Sequence, residues 1–343
     1  MQAMVLEGLG RVTSDRDPLV PRTVPDPEPA DGELLLEVTA CGVCHTELDE
    51  IEGRTPPPEL PVILGHQVVG RVTAQGRGVS KPAIGDRVGV AWIYSACGHC
   101  YHCRRGEENL CPGFRATGRD ADGGYAERMR VPADFVYAIP ERYSDAQAAP
   151  LLCAGAIGYR SLRLTELKDG ERLGLTGFGA SAHLVLKMAQ HRFPRSEVYV
   201  FSRSEGERAF ARELGAGWAG AIEARAPARL HRIIDTTPAW KPVVEALANL
   251  EPGGRLVINA IRKESQDQDY LQRLDYERDL WMEKEIKSVA NVARRDVREF
   301  LTLADETGMT PEVTTFGLRE ANRALQELRA RKIRGAKVLE IGG

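Results

Sequence analysis

Residues 172–190 read RLGLTGFGASAHLVLKMAQ, and this stretch decides the fold. An apolar, strand-like run meets a glycine-rich turn, after which Ala182, Val185, Leu186 and Ala189 recur at the i, i+3, i+4, i+7 spacing of one helix face. The turn itself, Gly177-Phe178-Gly179-Ala180-Ser181-Ala182, has the form G-x-G-x-x-A. Small residues there allow a tight turn and close approach of backbone to a pyrophosphate, whose charge the N-terminus of the following helix favours. Alone the motif is weak; between a strand and a helix it gains force.

The same alternation continues outward. EVYVF (197–201) predicts a second strand, and Ser204 with Glu207 three residues on opens a helix through EGERAFARELG that Gly215 should stop. RIIDTT (232–237) and GRLVINA (254–260) read as strands around the helical AWKPVVEALANL (239–250), so a parallel doubly wound sheet is expected. The charge-rich segment 264–285, with Tyr270, Leu274 and Trp281, predicts a solvated helix whose apolar side rests on the protein or on another subunit. A strand in EIKSVANV (285–292), two helical stretches and a final strand, KVLEI (337–341), follow; Ala321, Ala324, Leu325 and Leu328 share a face of the second helix. Before residue 150 the texture differs. That region carries 14 of the 20 prolines and short runs such as ELLLEV (33–38), PVILGHQVVGRV (61–72) and DRVGV (86–90) between Gly, Pro and Asp turns, which predicts an irregular, strand-rich domain.

Length agrees with two domains, since 343 residues are roughly twice the typical 150. With 43% apolar and 28% charged residues the chain is globular rather than disordered. Lys plus Arg total 46 against 49 Asp plus Glu, a net charge of -3, so no field draws it to nucleic acid or a membrane surface. No apolar stretch reaches the ~18 residues of a membrane helix, and MQAMVLEGLG has neither basic leader nor apolar signal core. A cytoplasmic location is expected.

Seven cysteines do not make the dense, even framework of a secreted domain. Cys97, Cys100, Cys103 and Cys111 form C-x2-C-x2-C-x7-C, a spacing that lets one loop wrap four thiolates around a tetrahedral ion. Zinc suits such a closed, structural site better than its rival, an iron-sulfur cluster. His99 and His102 read as loop side chains, and Arg104 and Arg105 are placed to offset the thiolate charge. Elsewhere, Cys44 begins CHTELD, His66 lies in LGHQVVGRV and Cys153 sits in PLLCAGAIGY, but no local spacing joins them.

Here the sequence resembles the zinc-dependent medium-chain alcohol dehydrogenases. Their signature G-H-E-x2-G-x5-G-x2-V is matched by Gly65, His66, Gln67, Gly70, Gly76 and Val79 with one departure, and A-C-G-V-C-H-T, the cysteine knot, C-A-G at Cys153 and the nucleotide turn extend the likeness over nearly the whole chain. The resemblance implies a GroES-like β-rich catalytic domain, residues 1–150 and 287–343, interrupted by a Rossmann domain, residues 151–286. It further implies that Cys44, His66 and Cys153 bind a catalytic zinc with one position left for a reactant, giving two zinc ions per chain. Thr46 matches the hydroxyl that passes the substrate's proton outward, His45 a position facing the coenzyme phosphates, and Trp92 a substrate-pocket aromatic. Cys41, although it makes Cys41-x2-Cys44, is not a ligand in the family and reads as a small packed hydrophobe.

Four positions depart from the family. Gln67 replaces a glutamate behind the zinc, Glu47 lengthens an aspartate, Ile157 replaces a threonine near the nicotinamide, and Asp49 stands where relatives have the histidine ending the proton relay. An unperturbed Asp, near pKa 3.9, is a weaker base than His near 6.5. After EVYVF the chain supplies Ser202 and Arg203 rather than an acid, which favours a 2′-phosphate and hence NADP(H) over NAD(H). The implied activity is reversible hydride transfer between a small alcohol and an aldehyde or ketone, in a homo-oligomer (dimer or tetramer). Two readings compete: a reductase of activated double bonds, and a zinc-stabilised nucleotide-binding regulator without catalysis.

Overall fold

Eleven residues, Glu33–Val43, form the strand around which the first half of the protein is organised. Its side chains alternate, with Leu34, Leu36 and Val38 buried, as expected of a strand with one face on a core; from Ala40 every residue is buried. The computed structural model describes residues 1–330 and 335–342 and divides into two units. The first, Met1–Cys153 with Val292–Gly343, contains this strand. It pairs antiparallel with Val68–Gln75, Arg128–Pro132 and Ala336–Glu340. Arg87–Val90 and Val136–Ala138 extend the sheet on one side, and Val313–Gly317 extends it on the other, parallel to Ala336–Glu340. Smaller sheets of three strands (Leu19–Thr23, Gln2–Leu6, Val62–Ile63) and of two (Ile93–Ser95, Arg115–Ala116) complete the β-rich unit. Tyr125 and Phe300 are fully buried in this unit, each contributing about 1.5–3 kcal/mol relative to exposure.

The register of the central strand places the site. Cys41 lies opposite Val68, and one residue further the Gly42 amide donates to the Gln67 carbonyl at 2.9 Å. Antiparallel continuation therefore carries His66 toward Cys44. Gly42 leaves room there for Gln67: a Cβ would lie 2.5 Å from the Gln67 amide oxygen and 2.9 Å from Gln67 Cβ, so that side chain would have to shift.

The second unit, Ala154–Asn291, is a six-stranded parallel sheet. In space its strands run Trp218–Gly220, Val198–Phe201, Leu173–Thr176, Leu230–Asp235, Leu250–Ile258, Glu285–Ser288, every neighbouring pair parallel. Numbered by sequence that order is 3-2-1-4-5-6, the doubly wound Rossmann arrangement, whose order reverses between Leu173–Thr176 and Leu230–Asp235. The helix Ala180–Arg192 buries Ala182, Val185, Leu186 and Ala189, the face read from its spacing.

Two expectations need correction. Segment 264–285 is not one solvated helix: a 3-10 turn, Gln268–Arg273, and a π turn, Tyr276–Leu280, are separated by an extended break. The Asp267 carboxylate accepts from the Trp240 and Lys241 amides and Asp275 caps the second turn, while Met282 and Glu283 take left-handed backbone. Aspartates that bond backbone in this way compete with a continuous helix. The strand Glu285–Ser288 belongs to the parallel sheet, so the chain returns to the first unit at Val292 rather than at 287. No helix among the described residues is long and apolar enough to cross a membrane.

Candidate active site

Cys44 ends the central strand's run and caps the short helix His45–Ile51. Its Sγ accepts from the Thr46 amide at 3.4 Å, so a thiolate there faces the positive end of peptide dipoles. Three residues on, Glu47 completes a capping box, one carboxylate oxygen accepting from the Cys44 amide at 2.9 Å. The other oxygen meets His66 Nδ1 at 2.6 Å, with both side chains buried. With the carboxylate accepting, the Nδ1 side carries a proton and Nε2, 3.8 Å from Cys44 Sγ, is the ring atom available to a metal. Cys153, half-buried at the end of the 3-10 turn Ala149–Leu152, supplies the third ligand atom. Cys44, His66 and Cys153 place these atoms within 4.8 Å of one another. Zinc bonds of ~2.0–2.3 Å at tetrahedral angles put ligand atoms roughly 3.6–3.8 Å apart, so the donor set fits zinc.

Charge in this cluster is strongly coupled. Burial opposes a charged imidazole, but Glu47 and Cys44 beside it prevail and hold the pKa of His66 well above its ordinary value. Cys44 is pushed up by sharing a proton with Cys153, by burial and by the Glu47 charge.

The second group, Cys97, Cys100, Cys103 and Cys111, also has its sulfurs within 4.8 Å, with Cys97 and Cys103 3.9 Å apart. Amides of Cys97 and Gly113 point at Cys111 Sγ, at 3.4 and 3.3 Å, and that of Cys103 at Cys100 Sγ, at 3.5 Å. Such N–H···S bonds stabilise thiolates; backbone donors from His99 and Cys100 draw the Cys97 thiol down to about 6. The four-sulfur set fits a closed zinc site. His99 is exposed, and Cys41 is fully buried, with its thiol turned toward its neighbour's carbonyl.

Around the three-ligand cluster the other candidates are distributed unevenly. Thr46 is half-buried and His45 exposed. Trp92 is buried, 5.0 Å from the Phe114 ring, with Arg119 over its face. Asp49 is taken up in an ion pair with Arg54 Nε at 2.5 Å. Gln67 is buried, with no partner for Nε2 among the described residues. Sequence reasoning did not see the role of Glu47; its capping-box spacing from Cys44 was the available signal.

In the second unit Gly177 takes φ +77°, a left-handed turn that a side chain would strain. Gly179 caps the helix Ala180–Arg192 with no side-chain bond, leaving its first amides for an anion. At the end of the second strand the Ser202 hydroxyl donates to Glu207, and Arg203 is exposed. Ser204 caps its helix, accepting from the Glu207 amide at 3.3 Å, but the Glu207 carboxylate turns to Ser202 instead of closing a capping box.

A β-rich unit bearing two candidate metal-ligand sets, joined in one chain to a Rossmann sheet, is the architecture of a dehydrogenase. Residues 30–141 match the family described as the alcohol dehydrogenase GroES-like domain. The protein named "Probable alcohol dehydrogenase AdhA" of Mycobacterium tuberculosis is 44% identical over 332 residues, 95% of this chain and 94% of that protein. An alcohol dehydrogenase of Geobacillus stearothermophilus is 32% identical over 93% of this chain and 95% of its own. Among solved structures, a cinnamyl alcohol dehydrogenase from Sorghum bicolor superposes with a TM-score of 0.84 at 29% identity, covering 99% of this chain and 97% of that one. The chain belongs to the zinc-containing medium-chain alcohol dehydrogenase family, oxidoreductases that interconvert alcohols with aldehydes or ketones.

Proposed function

We propose that this chain is a zinc-dependent dehydrogenase acting on a small alcohol, aldehyde or ketone, with two zinc ions per chain and NADP(H) preferred over NAD(H). The observation that carries the reading is the convergence of Cys44, His66 and Cys153, from three separate segments, on one point. Three ligands leave one tetrahedral position open, unlike the four-sulfur knot.

A zinc ion held there would supply Lewis acidity toward the substrate oxygen, and the nicotinamide would carry the hydride. The chain's own residues do the rest. Glu47 fixes the ring and tautomer of His66, so that Nε2 faces the open set. Thr46, on the first turn after Cys44, passes the hydroxyl proton outward to solvent. Asp49, committed to Arg54, is left out of this relay. Trp92 offers an apolar wall for the substrate's carbon skeleton. The glycine turn and the first amides of the helix Ala180–Arg192 receive the pyrophosphate; for His45 the phosphate-facing role rests on the family resemblance alone. Arg203 supports a 2′-phosphate by charge; Glu207, holding Ser202, works against it.

The exposed edge strand Glu285–Ser288 supports a homo-oligomer, and the many reduced ligand thiols support a cytoplasmic location. Metal analysis with an alcohol and aldehyde panel tests the proposal. About two zinc ions per chain are expected, and Cys153→Ser loses one of them together with activity. Full activity in Cys153→Ser would refute the catalytic assignment. Enone turnover independent of that metal would identify a double-bond reductase instead.

A further inference from the structure

Lys263 and Asp235 form an ion pair that the chemistry above does not use. Asp235, fully buried, ends the strand Leu230–Asp235; Lys263 is 8% exposed and its ammonium bonds the Asp235 carboxylate. The same ammonium donates to the Thr237 carbonyl at 2.8 Å and the Ala239 carbonyl at 3.1 Å, so its three protons are all placed. Asp235 Oδ1 accepts from Thr176 Oγ1 at 2.5 Å and Thr237 Oγ1 at 2.8 Å. The pair therefore ties together the ends of Leu173–Thr176 and Leu230–Asp235 and the loop beyond them. Between these two strands the sheet order reverses, where open parallel sheets hold their ligands. A Cβ on Gly177 would lie 2.9 Å from Thr236 Oγ1 and 3.0 Å from Thr237 Cγ2, so the phosphate-binding turn rests directly on the clamped loop.

We infer that Lys263 is a positioning residue for the dinucleotide. By neutralising Asp235 and fixing residues 236–239 against Gly177, it shapes the crevice before the coenzyme arrives, so binding does not have to order that loop. The inference rests on the coenzyme reading above. Lys263 has no proton left to offer a ligand, and its effect is transmitted through Thr236 and Thr237.

The test is fluorescence titration of zinc-loaded, full-length protein with NADPH and with NADH, alongside Tm, for Lys263→Met, Asp235→Asn, the double variant and Lys263→Arg. Lys263→Met strands a buried carboxylate and loses both stability and coenzyme affinity, whereas the double variant removes both charges and regains Tm. At that recovered Tm it still binds both coenzymes about 10-fold more weakly than the parent, and Lys263→Arg, which keeps the charge, regains most of the affinity. Thr237→Val keeps both charges and carries the same test should the double variant not fold: Tm falls with the lost bond to Asp235, and coenzyme binding weakens by more than Lys263→Arg shows at a comparable Tm. Parental affinity in the double variant, or affinity that simply follows Tm across the set, overturns the inference. A parent that binds neither NADPH nor NADH overturns the coenzyme reading instead.

Discussion

Glu47 does two jobs with one carboxylate. It completes the cap on Cys44 and fixes the ring of His66, thereby linking two ligands that lie in different elements. Glu47→Gln keeps the shape and loses the charge. Metal partners of this kind typically matter by about 10 to 100-fold in affinity, so Glu47→Gln is expected to weaken zinc at the three-ligand site by that factor while the knot stays loaded; competition with a chromogenic chelator measures both. The same residues set a pH dependence. The neighbouring cysteine and Glu47 groups push the pKa values of Cys44 and His66 upward, burial adding to the shift at Cys44 and being overcome at His66, so zinc taken up at the proposed site would have to displace their protons. Binding therefore releases protons, and affinity for the three-ligand site rises with pH from about 6 to 8. Calorimetry in buffers of different ionisation enthalpy checks this; affinity independent of pH would contradict the charge coupling described.

At the scale of elements, the proposed preference for NADP(H) rests on the junction between the strand Val198–Phe201 and the helix Glu205–Glu213. Arg203 is exposed there, and the Glu207 carboxylate lies against Ser202. Arg203→Ala is expected to weaken NADPH about 10-fold more than NADH, and Glu207→Gln to shift preference the other way, toward NADPH. Equal effects on both coenzymes would remove Arg203 from phosphate recognition. This junction also shows what sequence can convey. The Ser204 cap and the Gly215 stop are local signals, read within a few residues, and the structure keeps both. Where the Glu207 side chain goes is a choice between two nearby partners, and spacing alone favours the capping box that does not form. Segment 264–285 misleads for a related reason: Tyr270, Leu274 and Trp281 carry helical spacing, while the side chains of Asp267 and Asp275 bind backbone and break the run.

For the whole molecule, alternation of apolar strands and periodic helices made the Rossmann sheet legible, because each element announces itself locally. The cysteine knot was legible for the same reason. The three-ligand site was not: Cys44, His66 and Cys153 share no spacing, and only the resemblance named them as a set. Their meeting depends on the register of Glu33–Val43 against Val68–Gln75, a long-range fact. The open edge at Glu285–Ser288 bears on assembly. Ile286 is 44% exposed on a strand that, among the described residues, has a sheet neighbour on one side only. Ile286→Asp is expected to convert an oligomer to monomers in light scattering, as charge on an edge strand discourages pairing; an unchanged mass would place the contact elsewhere.

The strand Ala336–Glu340 lies beside Glu33–Val43, with Lys337 opposite Val43 and Leu339 opposite Cys41, one to three residues ahead of the candidate ligand Cys44. The chain thus carries Cys44, His66 and Cys153 well before the strand that flanks the first of them. Deleting Ala336–Glu340 would strip Glu33–Val43 of the partner that flanks the candidate ligand Cys44.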